Sequence, residues 1–364
     1  MNILYLSKLS GNPGAGPSYS VPEQIFAQSF VDNVFWINLN HQRRKEWEKQ
    51  ENFFHNLDDL NPELRFFPTP FNKPDLVVVE GFYSFFLSPI IKELINKKIP
   101  YIIISRGEMN DYAQKSKRLK KTIANIIWFN RMVDKCAGIV YLSENEQKNS
   151  RKWKNKKSVV IPNGVSLVEQ MKREFPKKGI EAVFIGRLDV FHKGIDFLFD
   201  GIRLVANQLR ASGFNLKLYG PEWNNSYDWI KKYLIENKMD DIVSLQGPVY
   251  GEEKINILKE ADLFVLTSRF EGMPMGLLEA MAFGLPSLVT PGTNMFDEIL
   301  QNDAGWCSNS DAESISKALL SITEQKHLFQ KKSLNSFSLA SKFSWHTIAQ
   351  KAHHEYKKFI GEDN

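Results

Sequence analysis

The feature that most limits what this chain can become is a recurrence of short, largely apolar runs, most of them closed by a glycine, a proline or a small polar residue. In the first half they fall at Ile3 to Leu6, Val34 to Leu39, Leu76 to Val79, Tyr101 to Ile104, Ala137 to Leu142 and Val159 to Ile161. In the second they fall at Glu181 to Ile185, Asn215 to Tyr219, Ile242 to Leu245, Asp262 to Leu266 and Leu288 to Thr290. Continuous runs of this length suit strands buried on both faces. Between them lie stretches of helical character, such as Pro89 to Lys97. Strand and helix in alternation read as an α/β chain whose parallel strands are joined by crossover helices. The pattern runs through two rounds, separated at Pro162-Asn163-Gly164-Val165. The expectation is two domains, residues 1–165 and 166–340, and a closing helix within 341–364 that begins around Phe343, Trp345, Ile348 and Ala349.

A chain of 364 residues suits two domains of ordinary size. No segment offers 18 apolar residues without charges, so no transmembrane helix is expected. The opening MNILYLSKLSG reads as a buried strand rather than a signal peptide. Cys136 and Cys307 are too few and too far apart for a disulfide framework or a zinc site. A cytoplasmic location fits both readings.

The stretch Thr267 to Thr290, TSRFEGMPMGLLEAMAFGLPSLVT, carries the most chemistry. Glu271 falls in a loop after the apolar run that ends at Leu266. Glu279 falls in the first turns of a helix that opens near Pro274 or Gly276. Free N–H groups at such an opening, those of Met275, Gly276 and Leu277, can hold a phosphate. A carboxylate further along can accept hydrogen bonds from sugar hydroxyls. The stretch resembles the donor-site signature of retaining glycosyltransferases with two Rossmann-like domains, the large family 4 or glycosyl transferases group 1, which includes bacterial capsule, O-antigen and exopolysaccharide enzymes. That family carries Glu-x7-Glu followed by Ala and a Gly-x-Pro turn; here they are Glu271, Glu279, Ala280 and Gly284-Leu285-Pro286.

The resemblance implies a GT-B fold: two Rossmann-like domains facing each other across a cleft, acceptor in the first and nucleotide sugar in the second, with the last helix crossing back onto the first. It implies that Arg187 and Lys193, which flank a strand-to-helix loop, bind the donor diphosphate and stabilise the leaving group. It places the nucleobase near Pro248 and Val249. The loop Pro291-Gly292-Thr293-Asn294 departs from the commoner family text, with Asn294 at a donor-site position, and this departure bears on sugar selection.

In the first half, a loop with Gly11, Gly14 and Gly16 follows the first strand, and a helix is expected from about Ser20 to Phe30. The spacing matches neither the dinucleotide fingerprint nor a P-loop. In the family this loop reaches toward the donor phosphate, and Gly16 would allow close approach. Arg106, in Ser105-Arg106-Gly107-Glu108-Met109, occupies the slot where many family members place a histidine. An arginine cannot be a general base at neutral pH, so a catalytic Arg106 would act as a fixed charge or a donor. Residues 41 to 64 show no clear sheet element.

The net charge is +5, and it is unevenly spread. From Lys115 to Lys157 there are 13 lysines or arginines against 3 acids. Ile126, Ile127, Trp128, Phe129 and Met132 interleave with them at helical spacing, which favours an amphipathic helix over a base-stacking sheet. The partners this suggests are an anionic membrane surface or a lipid-linked saccharide acceptor, beside the nucleotide-sugar donor, rather than nucleic acid. An ordinary solvated basic face would carry the same charges.

The chemistry follows from the residue types. No Asp-x-Asp occurs in the chain, so no metal and no cofactor are expected; Arg187, Lys193 and helix N-termini would supply the positive charge that a departing diphosphate needs. The expected donor is UDP-linked, and the resemblance implies retention. The alternatives are a nucleotide-sugar 2-epimerase of the same fold, a pyridoxal-phosphate-dependent phosphorylase and a non-enzymatic sugar- or nucleotide-binding module.

Overall fold

A computed structural model describes residues 1–361 apart from 13–14, 49–52, 116, 170, 172–174 and 176–178. Pro13 and Gly14 of the glycine-rich loop thus lie outside the described residues. The chain divides into two compact units, Met1–Gly164 with Trp345–Asn364, and Val165–Ser344.

The first unit is built on a seven-stranded, wholly parallel sheet. Its strands are β1 (Asn2–Ser7), β2 (Asn33–Asn38), β3 (Phe54–Asn56), β4 (Leu76–Glu80), β5 (Tyr101–Ile104), β6 (Gly138–Tyr141) and β7 (Ser158–Val160). They lie in the order β3-β2-β1-β4-β5-β6-β7. β1, β4 and β5 form the buried middle, where Ile3, Leu4, Val77, Val78 and Ile103 have no exposed surface. The closing helix Trp345–Ile360 packs on the helix Pro17–Gln28 and places Tyr356 entirely inside. β3 corrects the expectation for residues 41 to 64. It is a three-residue edge strand in which His55 and Asn56 leave no apolar run, and it is seated by Trp36 and Trp47 against Phe54.

The second unit has six parallel strands: β8 (Ile180–Ile185), β9 (Phe214–Tyr219), β10 (Val243–Leu245), β11 (Leu263–Leu266), β12 (Ser287–Val289) and β13 (Gly305–Cys307). Their order is β10-β9-β8-β11-β12-β13. β13 is another three-residue strand that the apolar pattern does not reveal. From β8 the chain winds outward through β9 and β10, then returns to β11 and winds the other way. The switch point lies between β8 and β11, and loops leaving the carboxyl ends of those strands stand side by side. Open α/β sheets bind ligands at this place. β1 and β4 form the corresponding switch point of the first unit. Both units are Rossmann-like.

Candidate functional site

The two loops at the second unit's switch point are Gly186 to Gly194, after β8, and Thr267 to Pro274, after β11. The first leads into the helix Ile195–Leu204 and the second into the helix Met275–Ala282. Gly194 turns the first loop with φ +62°, and a Cβ there would lie 2.0 Å from the Thr267 carbonyl oxygen. Only glycine lets the loops come this close. Gly276 is a second close approach: its Cβ would meet the Ile185 carbonyl at 2.9 Å.

Arg269 ties the loops together. Its guanidinium reaches Asp196 with two bonds of 2.7 and 2.6 Å and lies over the rings of Phe191 and Phe197. Its backbone N–H donates to the His192 carbonyl at 2.9 Å. Thr267 Oγ1 donates to the Gly194 carbonyl, and Thr290 Oγ1 to that of Ser268.

On this frame stand the cations singled out from the sequence. Lys193 Nζ donates to Glu271 Oε1 at 2.6 Å, and Ser268 Oγ donates to the same oxygen at 2.6 Å. Both side chains are mostly buried. Burial pushes the Glu271 carboxyl up, but Lys193 and His192 beside it outweigh this and hold it below the usual carboxylate range. Among the described residues nothing bonds Glu271 Oε2. Arg187 is one third exposed, with Nη2 3.0 Å from His192 Nδ1 and 3.7 Å from Asp189 Oδ2. Trp223 packs on its guanidinium, with Cζ 4.4 Å from the ring centroid.

Asn294 adopts φ +59° and gives its amide to the carbonyls of Glu271 and Gly272, so it clamps the signature loop from beneath. Glu279 forms an ion pair with Lys254 of the helix Gly251–Glu260. In the turn that precedes this helix, Pro248 is exposed and Val249 buried. Pro274 caps the helix Met275–Ala282, and its carbonyl takes the first bonds, from Leu277 and Leu278, so the N–H groups of Met275 and Gly276 precede the ladder. The Leu277 side chain is in the core, which leaves only its backbone to the site.

In the first unit the picture differs. Arg106, at φ +48°, donates to Glu80 Oε2 (2.8 Å), Ser20 Oγ (3.1 Å), Asn163 Oδ1 (3.0 Å) and Gln24 Oε1 (2.7 Å). It is 5% exposed and Glu80 is fully buried. Glu146, buried, and Glu108, half-buried, hold the same loop by accepting from Ser105, Gly107, Leu142, Phe82 and Tyr83; desolvation raises both carboxyl pKa values. Gly16 is exposed, and a Cβ there would meet nothing within 4 Å.

The basic run sorts itself into two sets. Trp128, Phe129, Met132 and Val133 enter the core. Leu119, Ile123, Ile126 and Ile127 stay exposed, by 53 to 79%. Lys115, Lys117, Arg118 and Lys120 are exposed beside them, whereas Lys121 turns onto the Ala113 carbonyl and the Tyr83 ring.

Sequence reasoning missed His192, Asp189, Arg269, Trp223 and Lys254. His192 could have been found: it is a titratable ring between two cations of one loop.

Residues 179–325 match the family model described as Glycosyl transferases group 1. Mannosylfructose-phosphate synthase of Agrobacterium fabrum is 29% identical over 188 residues, 50% of this chain and 41% of that protein. This chain therefore aligns with less than half of that relative's length. An Escherichia coli UDP-Gal:alpha-D-GlcNAc-diphosphoundecaprenol alpha-1,3-galactosyltransferase is 40% identical over 75 residues, 20% of this chain and 19% of that one. Among solved structures, Anabaena HepE in complex with UDP and glucose superposes with a TM-score of 0.74 at 16% identity, covering 98% of this chain and 100% of HepE. That likeness establishes the fold.

Proposed function

We propose, from the premise that the 179–325 segment belongs to the glycosyl transferases group 1 family, that this protein is a retaining glycosyltransferase using a nucleoside-diphosphate sugar, UDP-linked by preference. The observation that carries the reading is the convergence of Arg187, Lys193 and Glu271 on two loops at the switch point between β8 and β11. Arg187 and the N–H groups of Met275 and Gly276 offer positive charge to a diphosphate. Lys193 has three N–H donors, so it can keep Glu271 and still reach a phosphate oxygen. Glu271 Oε2 then faces a sugar hydroxyl, and Glu279 the ribose. The named activity of the galactosyltransferase relative and the ligands of HepE support a UDP-linked donor.

Transfer in this reading needs no metal, because fixed cations stabilise the leaving diphosphate. The acceptor attacks from the face the diphosphate leaves, and a phosphate oxygen takes its proton. Product NMR over a panel of donors tests this: one donor should be consumed with its anomeric configuration kept, and EDTA should not stop turnover. Inversion would overturn the mechanism, and a strict divalent-ion requirement would overturn the charge assignment.

The acceptor in this proposal is a lipid-linked saccharide, met at an anionic membrane surface on the cytoplasmic side. Leu119, Ile123, Ile126 and Ile127 recur at i, i+4, i+7 and i+8, one face of a helix, with exposed Lys115, Lys117, Arg118 and Lys120 around them. No helix of the described residues is long and apolar enough to cross a membrane, so attachment would be peripheral. Co-sedimentation with anionic vesicles should fall with salt and fall again when Lys117, Arg118 and Lys120 become Gln. Indifference of the wild type to anionic vesicles would sink this part.

A further inference from the structure

His192 touches the candidate diphosphate contact and belongs to none of the roles above. Its ring is held on several sides. The backbone N–H donates to Asp189 Oδ1 at 3.0 Å, and the ring stacks on Phe270 with centroids 4.1 Å apart and planes 11° apart. Nε2 lies 2.6 Å from the Phe270 carbonyl oxygen, and Nδ1 lies 3.0 Å from Arg187 Nη2. A guanidinium only donates, and a carbonyl only accepts. The tautomer is therefore fixed by its neighbours: Nδ1 carries the lone pair and Nε2 the proton.

We propose that His192 is a positioning residue, which as the neutral Nε2–H imidazole holds the Arg187 guanidinium in the orientation that meets the donor diphosphate. The inference rests on the reading of Arg187 given above. The guanidinium is set between the imidazole and Trp223, its Nε is buried without a hydrogen-bond partner, and Asp189 stands at 3.7 Å, beyond hydrogen-bond reach. His192 is thus its one hydrogen-bonded anchor among the described residues. A proton on Nδ1 would turn that acceptor into a second donor facing a cation. The groups around the ring pull in both directions. Asp189, with Oδ2 4.0 Å from Nδ1, and Glu271 favour the proton, while Arg187 and Lys193 oppose it. Burial is the largest influence and sets the pKa below the usual histidine value. The neutral form therefore prevails at neutral pH, and acid should release Arg187.

Two substitutions separate the two bonds. In His192→Asn the amide oxygen can take the place of Nδ1, keeping the acceptor for Arg187. In His192→Gln the amide N–H can take the place of Nε2, keeping the bond to Phe270 and losing the acceptor. The measurement is UDP affinity by calorimetry at pH 7.5 and 5.5 for both variants, for Arg187→Ala and for the Gln/Ala double variant, with thermal melts of each. At pH 7.5 His192→Gln should weaken UDP about tenfold, the scale of one lost hydrogen bond to a charged group. It should add nothing further on Arg187→Ala, and His192→Asn should stay within about threefold of wild type. Between pH 7.5 and 5.5 the wild type should lose more affinity than His192→Asn. The terminal phosphate of UDP, with a pKa of about 6, titrates equally in both and cancels. Equal losses in the Asn and Gln variants would mean that His192 only fills space. Losses that add with Arg187→Ala would mean it acts elsewhere. If His192→Gln binds like wild type while Arg187→Ala does not, this inference falls and the diphosphate reading stands; if Arg187→Ala also binds like wild type, both fall.

Discussion

Arg106 and Arg187 follow strands in two Rossmann-like sheets, and they are used in opposite ways. Arg106 sits just after β5 in the first unit, where Glu80, Ser20, Gln24 and Asn163 absorb four of its donors. Arg187 sits just after β8 in the second, one third exposed, held by one histidine and covered by one indole. A buried, fully paired cation organises its own loop. A partly open one keeps guanidinium donors free for the diphosphate proposed above. Position in a fold does not assign a role; the local partners do.

The largest effect expected is in the first unit: Arg106→Ala should cost about 3–5 kcal/mol, because it leaves the buried Glu80 without its cation. Denaturant unfolding measures this, and a loss below about 1 kcal/mol would mean the pair is not structural. In the second unit the order inverts. Arg187→Ala should lower kcat by about 100-fold or more while the melting temperature changes little, whereas Lys193→Ala should lower both, because it also leaves the buried Glu271 without its cation. Arg187→Lys should recover only part of the rate, since an ammonium lacks the planar fork. A large loss of stability with retained turnover would place Arg187 beside Arg106.

Glu271 sharpens the same contrast through pH. Its folded pKa is depressed, so it contributes stability that is present above its unfolded value of about 4.3 and is lost as pH falls through the lower folded value. The melting temperature of the wild type should exceed that of Glu271→Gln at pH 6, and the gap should close between about pH 4.3 and more acidic values. A gap independent of pH would remove the charge from the argument. Trp223→Ala gives the smallest effect, about 0.5–1 kcal/mol in donor affinity, the worth of an exposed cation–π contact.

The sequence was most informative where physics acts locally. The apolar runs located eleven of the strands. β3 and β13 escaped because Phe54-His55-Asn56 and Gly305-Trp306-Cys307 carry no apolar run, whereas the equally short β7, β10 and β12 overlap one. Arg187, Lys193 and Glu271 were legible as residue types at meaningful places. Their partners were not: the Lys193–Glu271 contact spans 78 positions and the Arg269–Asp196 fork spans 73. Arg106 shows the reverse problem. The sequence marked it as a cation after a strand, but the four acceptors around it come from positions 20, 24, 80 and 163. Lys121 was indistinguishable from its exposed neighbours until Tyr83 and Ala113 were seen to hold it.

The most direct test of the central claim is UDP titration of three proteins: wild type, Arg187→Ala, and Arg106→Ala at a temperature where it remains folded. The account predicts saturable binding to the wild type, at least about tenfold weaker binding to Arg187→Ala, and affinity within about threefold of wild type for Arg106→Ala. No binding of UDP by the wild type, or equal affinity in the wild type and Arg187→Ala, would contradict it.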